Sequence, residues 1–197
     1  CLLLCYYDKF HNFEEKAVER GFKYMPLSYR GQMYRFPTSN VMYGLYENQD
    51  RIRQSGKVFL FEGEKSVLKT SSFYDGYGLS LAVYGSNLSV QHRDILLDLG
   101  IREVTICFDK EYCEQWYEDE FKDTKEQKLM FNYFKKLKKI CKLLNNYFIV
   151  NIVIDFDNKL DLKDAPVDKG KEVFEELLRN KITIDDVDKD FQEYFGI

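Results

Sequence analysis

The sequence predicts an α/β domain, a roughly four-stranded parallel sheet flanked by helices and preceded by a partial mixed α+β segment. Three observations predict it. Val58-Phe59-Leu60-Phe61 and Val104-Thr105-Ile106-Cys107-Phe108 are continuous apolar runs, as in strands buried on both faces. The segments between such runs are long enough for helices, and strand–helix alternation favours parallel pairing. Both runs end in carboxylates, Glu62 after the first and Asp109 with Glu111 after the second. Open α/β sheets place their sites at that end of the strands.

The elements follow in order. Asn12 reads as an N-cap, with Glu15 at the capping-box position and Gly21 as a stop, giving a short helix at about 13–20. Alternating aromatics from Lys23 to Phe36, around Arg30-Gly31, read as a hairpin. Met42 to Gln54 is helical and ends at Gly56. The pattern changes there, so residues 1–56 are assigned to a first subdomain and 57–197 to the α/β unit. Strands are expected at 57–62, 80–84, 103–108 and 148–154, with helices at 65–74, 89–99, about 114–146 and 170–180. The long helix carries Met130, Phe134, Leu137, Cys141 and Leu144 as an apolar stripe. Its Lys135, Lys138, Lys139 and Lys142 form the opposite, solvated face.

Composition narrows the function classes. An apolar content of 45% with 31% charged residues is that of a soluble globular chain. A net charge of −4 is not the global signature of a nucleic-acid binder, so such a role must rest on a local patch or on metal ions. The five cysteines form no CxxC pair and the two histidines lie far from any cysteine pair, so zinc is not expected. An odd count, with Cys107 inside an apolar run, fits reduced thiols in a cytoplasm. The apolar start at Cys1 is too short to span a membrane and lacks a signal peptide's charged flank. A chain that opens on Cys rather than Met reads as a fragment.

Three acidic groups carry the chemistry. The first is Glu62. The second is Asp109 with Glu111, whose i, i+2 spacing at an extended strand end points both carboxylates one way. The third is Asp164 with Asp168, in the loop after the last strand, which a parallel sheet returns to the same rim. Such carboxylates suit a hard cation such as Mg²⁺, which neutralises phosphate oxygens and activates a hydroxyl in phosphoryl transfer. Asp155 and Asp157 form a further Asp-x-Asp pair, and Asp161 reads as a turn residue. Lys65 and Lys69 share a helix face beyond Glu62 and can meet phosphates, or remain solvated. Gly85-Ser86-Asn87 is a turn open to phosphate approach.

These residues resemble the Toprim domain shared by DnaG-type primases, type IA and type II topoisomerases, OLD-family nucleases and RecR-type repair proteins. Glu62 matches that family's Glu after its first strand. Asp109 matches the leading Asp of its Asp-x-Asp, and Glu111 stands at the trailing Asp. The order of Tyr34-Arg-Phe-Pro-Thr-Ser-Asn40, Met42-Tyr-Gly-Leu-Tyr-Glu47, Phe59-Leu-Phe-Glu-Gly-Glu-Lys-Ser-Val67 and Val83-Tyr-Gly-Ser-Asn-Leu-Ser89 is similar to primases of phages and other mobile elements. Gly100-Ile-Arg-Glu-Val104 and Lys163-Asp-Ala-Pro166 continue the series. Ser66 stands where primases often carry an Asp, Met33 stands where a Lys is expected, and 114–146 looks like an insertion.

The resemblance implies primer synthesis from ribonucleoside triphosphates on single-stranded DNA, as a catalytic-core fragment of a DNA-directed RNA polymerase. It implies Mg²⁺ or Mn²⁺ at Glu62, Asp109 and Glu111, with Asp164 and Asp168 completing a second position. Arg35 would belong to the template groove, and Lys65, Lys69, Gly85 and Ser86 to nucleotide or nucleic-acid contacts. A replicative helicase would bind regions outside this chain, and no membrane role is implied. A nuclease or topoisomerase module, or a non-catalytic nucleic-acid-binding scaffold, is the alternative.

Overall fold

The structure, a computed structural model, describes residues 27–30, 32–34, 37–112 and 125–197. The predicted helix at 13–20, Arg35 and the beginning of the long helix lie outside the described residues. The chain divides into two compact units, residues 1–37 and 38–197. In the first, β1 (Leu27–Tyr29) and β2 (Gln32–Tyr34) pair antiparallel, Ser28 opposite Met33, as the predicted hairpin.

The second unit opens with a 3-10 turn (Thr38–Asn40) and α1 (Leu45–Ser55). Then come β3 (Lys57–Phe61), α2 (Glu64–Phe73), β4 (Ser80–Ala82), α3 (Val90–Asp98) and β5 (Glu103–Ile106). They are followed by α4 (Lys125–Leu144), β6 (Ile149–Ile152), α5 (Lys171–Arg179), β7 (Ile182–Ile184) and α6 (Val187–Phe195). The sheet runs β4-β3-β5-β6-β7. The four predicted strands are mutually parallel, and β7 adds an antiparallel edge beside β6 that the sequence did not announce. By compactness the second unit begins at Thr38 and includes α1, ahead of the pattern change near Gly56.

Strand alternation assigns the core to two layers. Val58, Leu60, Val104, Ile106, Val150 and Ile152 face a cluster that includes Ile52 of α1, Leu96 of α3, the stripe of α4 and Phe191 of α6. Phe61 and Cys107 point the other way, toward Val67 of α2 and Phe174 of α5. All five predicted stripe residues of α4 are buried. Two acids ahead of Phe191 also have roles: Asp186 caps α6 through the amides of Asp188 and Lys189, and Asp188 pairs with Lys138 and Lys142 of α4.

Two details steer the chain into the sheet. Gly56 closes α1 at φ 66°, and its carbonyl accepts from the Arg102 and Glu103 amides at 2.8 and 3.0 Å. A β-carbon at Gly56 would be strained at that φ and would meet Arg102 Nε at 2.9 Å. Tyr43 forms an antiparallel bridge on Ala82, the last residue of β4.

Candidate functional site

Backbone hydrogen bonds continue past the strand ends and fix the rim. The Val83 amide donates to the Phe61 carbonyl at 3.0 Å and the Gly85 amide to the Glu62 carbonyl at 2.8 Å. The Cys107 amide reaches the Leu60 carbonyl at 2.8 Å. Lys110 then exchanges bonds with the 160s loop: its amide donates to the Asp164 carbonyl at 2.9 Å and its carbonyl accepts from Lys163 at 2.8 Å. Glu62, the 84–87 turn, Asp109–Glu111 and Lys163 are thereby tied together.

Glu62 is the unsatisfied member. Its Oε1 is buried and receives no hydrogen bond. Burial first, then the charges of Asp109 and Glu111, raise its pKa from 4.5 to about 7, against the opposing pull of Lys136 and Lys163. The lysines face Glu111: Lys163 pairs with one oxygen, and Lys136 Nζ stands 3.9 Å from the other. Lys136 also donates to Ser86 Oγ at 2.6 Å. The site thus sets three carboxylates against two ammonium groups.

Between the two acids of the Asp109–Glu111 pair, Lys110 turns inward. Its side chain is only 4% exposed, and its Nζ donates to Asp155 Oδ2 at 2.9 Å, Asn158 Oδ1 at 2.6 Å and the Leu160 carbonyl at 2.9 Å. Asp155 also accepts from the Lys159 and Leu160 amides at 2.9 and 2.8 Å. Burial acts to raise the Asp155 pKa, and these hydrogen bonds outweigh it, holding it below the usual range. Asp155 is therefore the anchor of Lys110, which aims its two acidic neighbours at the rim. Asp157 is exposed and pairs with Lys159 at 3.7 Å.

The other expected residues are placed as follows. Asp168 accepts from Lys69 at 2.5 Å and from the Ala165 amide at 3.0 Å, with Lys65 at 3.4 Å. Asp164 accepts from the Asp161 amide at 3.1 Å and pairs with Lys169 at 3.2 Å. Lys65 and Lys69 thus face a carboxylate, and they join α2 to the loop before α5. Gly85 and Ser86 line a depression of about 190 Å³ with Thr38, Ser39, Ser89 and His92. His92 is buried and closes the α3 capping box with Ser89, while its Nε2 lies 2.9 and 3.0 Å from the Thr38 and Val41 carbonyls. Two carbonyl neighbours require a proton on Nε2, so Nδ1 accepts. Ser66 is buried in the first turn of α2, where its carbonyl accepts from Thr70 Oγ1 at 2.6 Å.

Lys110, Lys136 and Lys163 were not singled out from the sequence as site residues. Lys136 carried a readable signal: it lies three residues after Tyr133 and four before Ile140, both buried, so it borders the inward face of α4.

The donor chemistry of Glu62, Asp109 and Glu111 fits a hard divalent cation. Glu62 Oε1 is a buried oxygen in need of a positive partner, and the mutual repulsion of the three carboxylates is what a cation relieves. As placed, no group of three acidic, histidine or cysteine side chains among the described residues is gathered closely enough to hold an ion. Lys163 and Lys136 supply the positive charge instead.

No family model matches the chain. It is 42% identical over 170 residues to the SPbeta prophage-derived uncharacterized protein YorJ of Bacillus subtilis (strain 168), covering 86% of this chain and 44% of that protein. It is 32% identical over 74 residues to a DNA primase of Chlamydia trachomatis, covering 38% of this chain and 12% of the primase. The structure aligns with a DNA primase domain from Pseudomonas aeruginosa at a TM-score of 0.52 and 18% identity, covering 82% of this chain and 44% of that one. The chain spans less than half the length of each. No helix among the described residues is long and apolar enough to cross a membrane. Strand order, rim and structural alignment together give this chain the Toprim-type fold of the DnaG primase catalytic core.

Proposed function

We propose that the chain forms the catalytic core of a DNA primase and joins ribonucleoside triphosphates into primers on a single-stranded DNA template. The observation that carries this reading is the orphaned, buried Glu62 Oε1 beside Asp109 and Glu111. In this reading Glu62, Asp109 and Glu111 hold Mg²⁺ or Mn²⁺. The cation, when bound, neutralises phosphate oxygens and lowers the pKa of the attacking hydroxyl.

The chain's own residues set the conditions. Glu62 gives up its proton as the site is loaded, because its raised pKa reflects burial and like charge. Lys110 and Asp155 hold the turn that presents Asp109 and Glu111. Gly85 and Ser86 offer an open turn for phosphates, and Arg35 belongs with the template. A second cation position at Asp164 and Asp168 requires Lys169 and Lys69 to give way.

Primer synthesis by the intact protein tests this, with single-stranded template, ribonucleotides and Mn²⁺. Glu62→Gln should lower product at least about a hundredfold, since even the outer partners of a metal ligand are worth about ten- to a hundredfold. Equal product from both proteins would remove Glu62 from the mechanism. Template cleavage without synthesis would assign the rim to a nuclease.

A further inference from the structure

Lys136 belongs to α4, yet its Nζ meets the rim rather than solvent. Phe134 stacks on Phe195 of α6 at 4.4 Å and Tyr133 packs beside Tyr112 at 5.8 Å, which fixes the turn of helix that carries it. The side chain is 28% exposed, and its Nζ lies 2.6 Å from Ser86 Oγ and 3.9 Å from Glu111 Oε2. The turn it reaches is open. Tyr84 and Gly85 have φ of 58° and 135°, and a β-carbon at Gly85 would meet no atom within 4 Å.

A carboxylate cluster repels phosphate, so a nucleotide's phosphates approach it with a cation on the acids, and a positive group beside them strengthens the attraction. Lys136 is such a group, bonded to the Ser86 hydroxyl, with space over Gly85. Once a cation compensates Glu111, the ammonium is no longer bound to that carboxylate. A phosphate oxygen is then its strongest available acceptor.

We propose that Lys136 and Ser86 form a phosphate-binding position for a nucleoside triphosphate, in which Lys136 exchanges Glu111 for phosphate when the cation binds. This rests on the cation reading of Glu62, Asp109 and Glu111. It assigns α4 a role at the site rather than in packing alone.

The test measures two affinities of the intact protein by calorimetry: Mn²⁺ alone, and ATP in the presence of Mn²⁺. Lys136→Met keeps the aliphatic stem and should weaken ATP binding about tenfold, the worth of one charge-assisted hydrogen bond. It should leave Mn²⁺ binding no weaker, since it removes a competing cation. Lys136→Arg should hold ATP affinity within about threefold. ATP affinity equal in wild type and Lys136→Met overturns the proposal, and so does a parallel loss of both affinities. If Glu62→Gln loses Mn²⁺ and ATP binding while Lys136→Met keeps both, the cation reading stands and only the role of Lys136 falls. A wild type that binds neither Mn²⁺ nor ATP overturns both.

Discussion

Glu62 opposes folding when ionised, and this can be measured without any substrate. Its pKa of about 7 in the fold lies above its ordinary 4.5. The native state therefore holds more protons than the unfolded chain between those values. Its contribution is fully present below about pH 4.5 and is lost as pH rises through 7. The shift corresponds to a few kcal/mol, on the order of 3. In chelator, urea unfolding of wild type and Glu62→Gln at pH 5 and pH 8 should diverge, with the Gln protein gaining relative stability at pH 8. Parallel profiles would mean that Glu62 is not held near neutrality. Lys110 is the reverse case, a charge whose burial is matched by Asp155, Asn158 and a carbonyl. Removing one member of such a pair exposes the other to the full desolvation cost.

At the scale of elements, legibility followed burial. β3 and β5 are covered on both faces, so they read as unbroken apolar runs and were placed within one or two residues. β7 is only Ile-Thr-Ile between charged neighbours, and its pairing with β6 is a long-range fact that no local pattern encodes. The acid-rich start of α6 hides the Phe191 and Phe195 that anchor it. The partners of the lysines were illegible for the same reason. Lys110 finds Asp155 45 positions away, and Lys136 finds Ser86 50 positions away. The acids Glu62 and Asp109 stand out in the sequence because each directly follows an apolar run, and Glu111 because it lies two residues beyond Asp109. α5 shows what one helix contributes. Phe174 is fully buried, edge-on to Phe59 at 5.8 Å and tilted to Phe61 at 5.9 Å. Phe174→Ala should cost about 3–5 kcal/mol in urea unfolding. A loss under about 1 kcal/mol would mean that the α2–α5 side of the sheet repacks around the gap.

For the whole molecule, a cation at the proposed site would link binding to folding. An ion that binds only the native state adds about 2.7 kcal/mol at a hundredfold excess over its Kd. For a chain of this size that raises Tm by roughly 5–10 °C. Below about pH 7 a proton occupies Glu62, so Mg²⁺ should raise Tm more at pH 8 than at pH 6 and least in Glu62→Gln. Equal shifts in all three melts would place the ion elsewhere. The sheet has a consequence of another kind. β4 is three residues long, and Tyr43 occupies its last position with two hydrogen bonds, at 2.9 and 3.1 Å. β7, at the opposite margin, is equally short and turned against the direction of its neighbours. Neither margin offers a long, regular ladder to an extended strand from another molecule. The same brevity that hid β7 from a reading of the sequence guards the protein against edge-to-edge aggregation at high concentration.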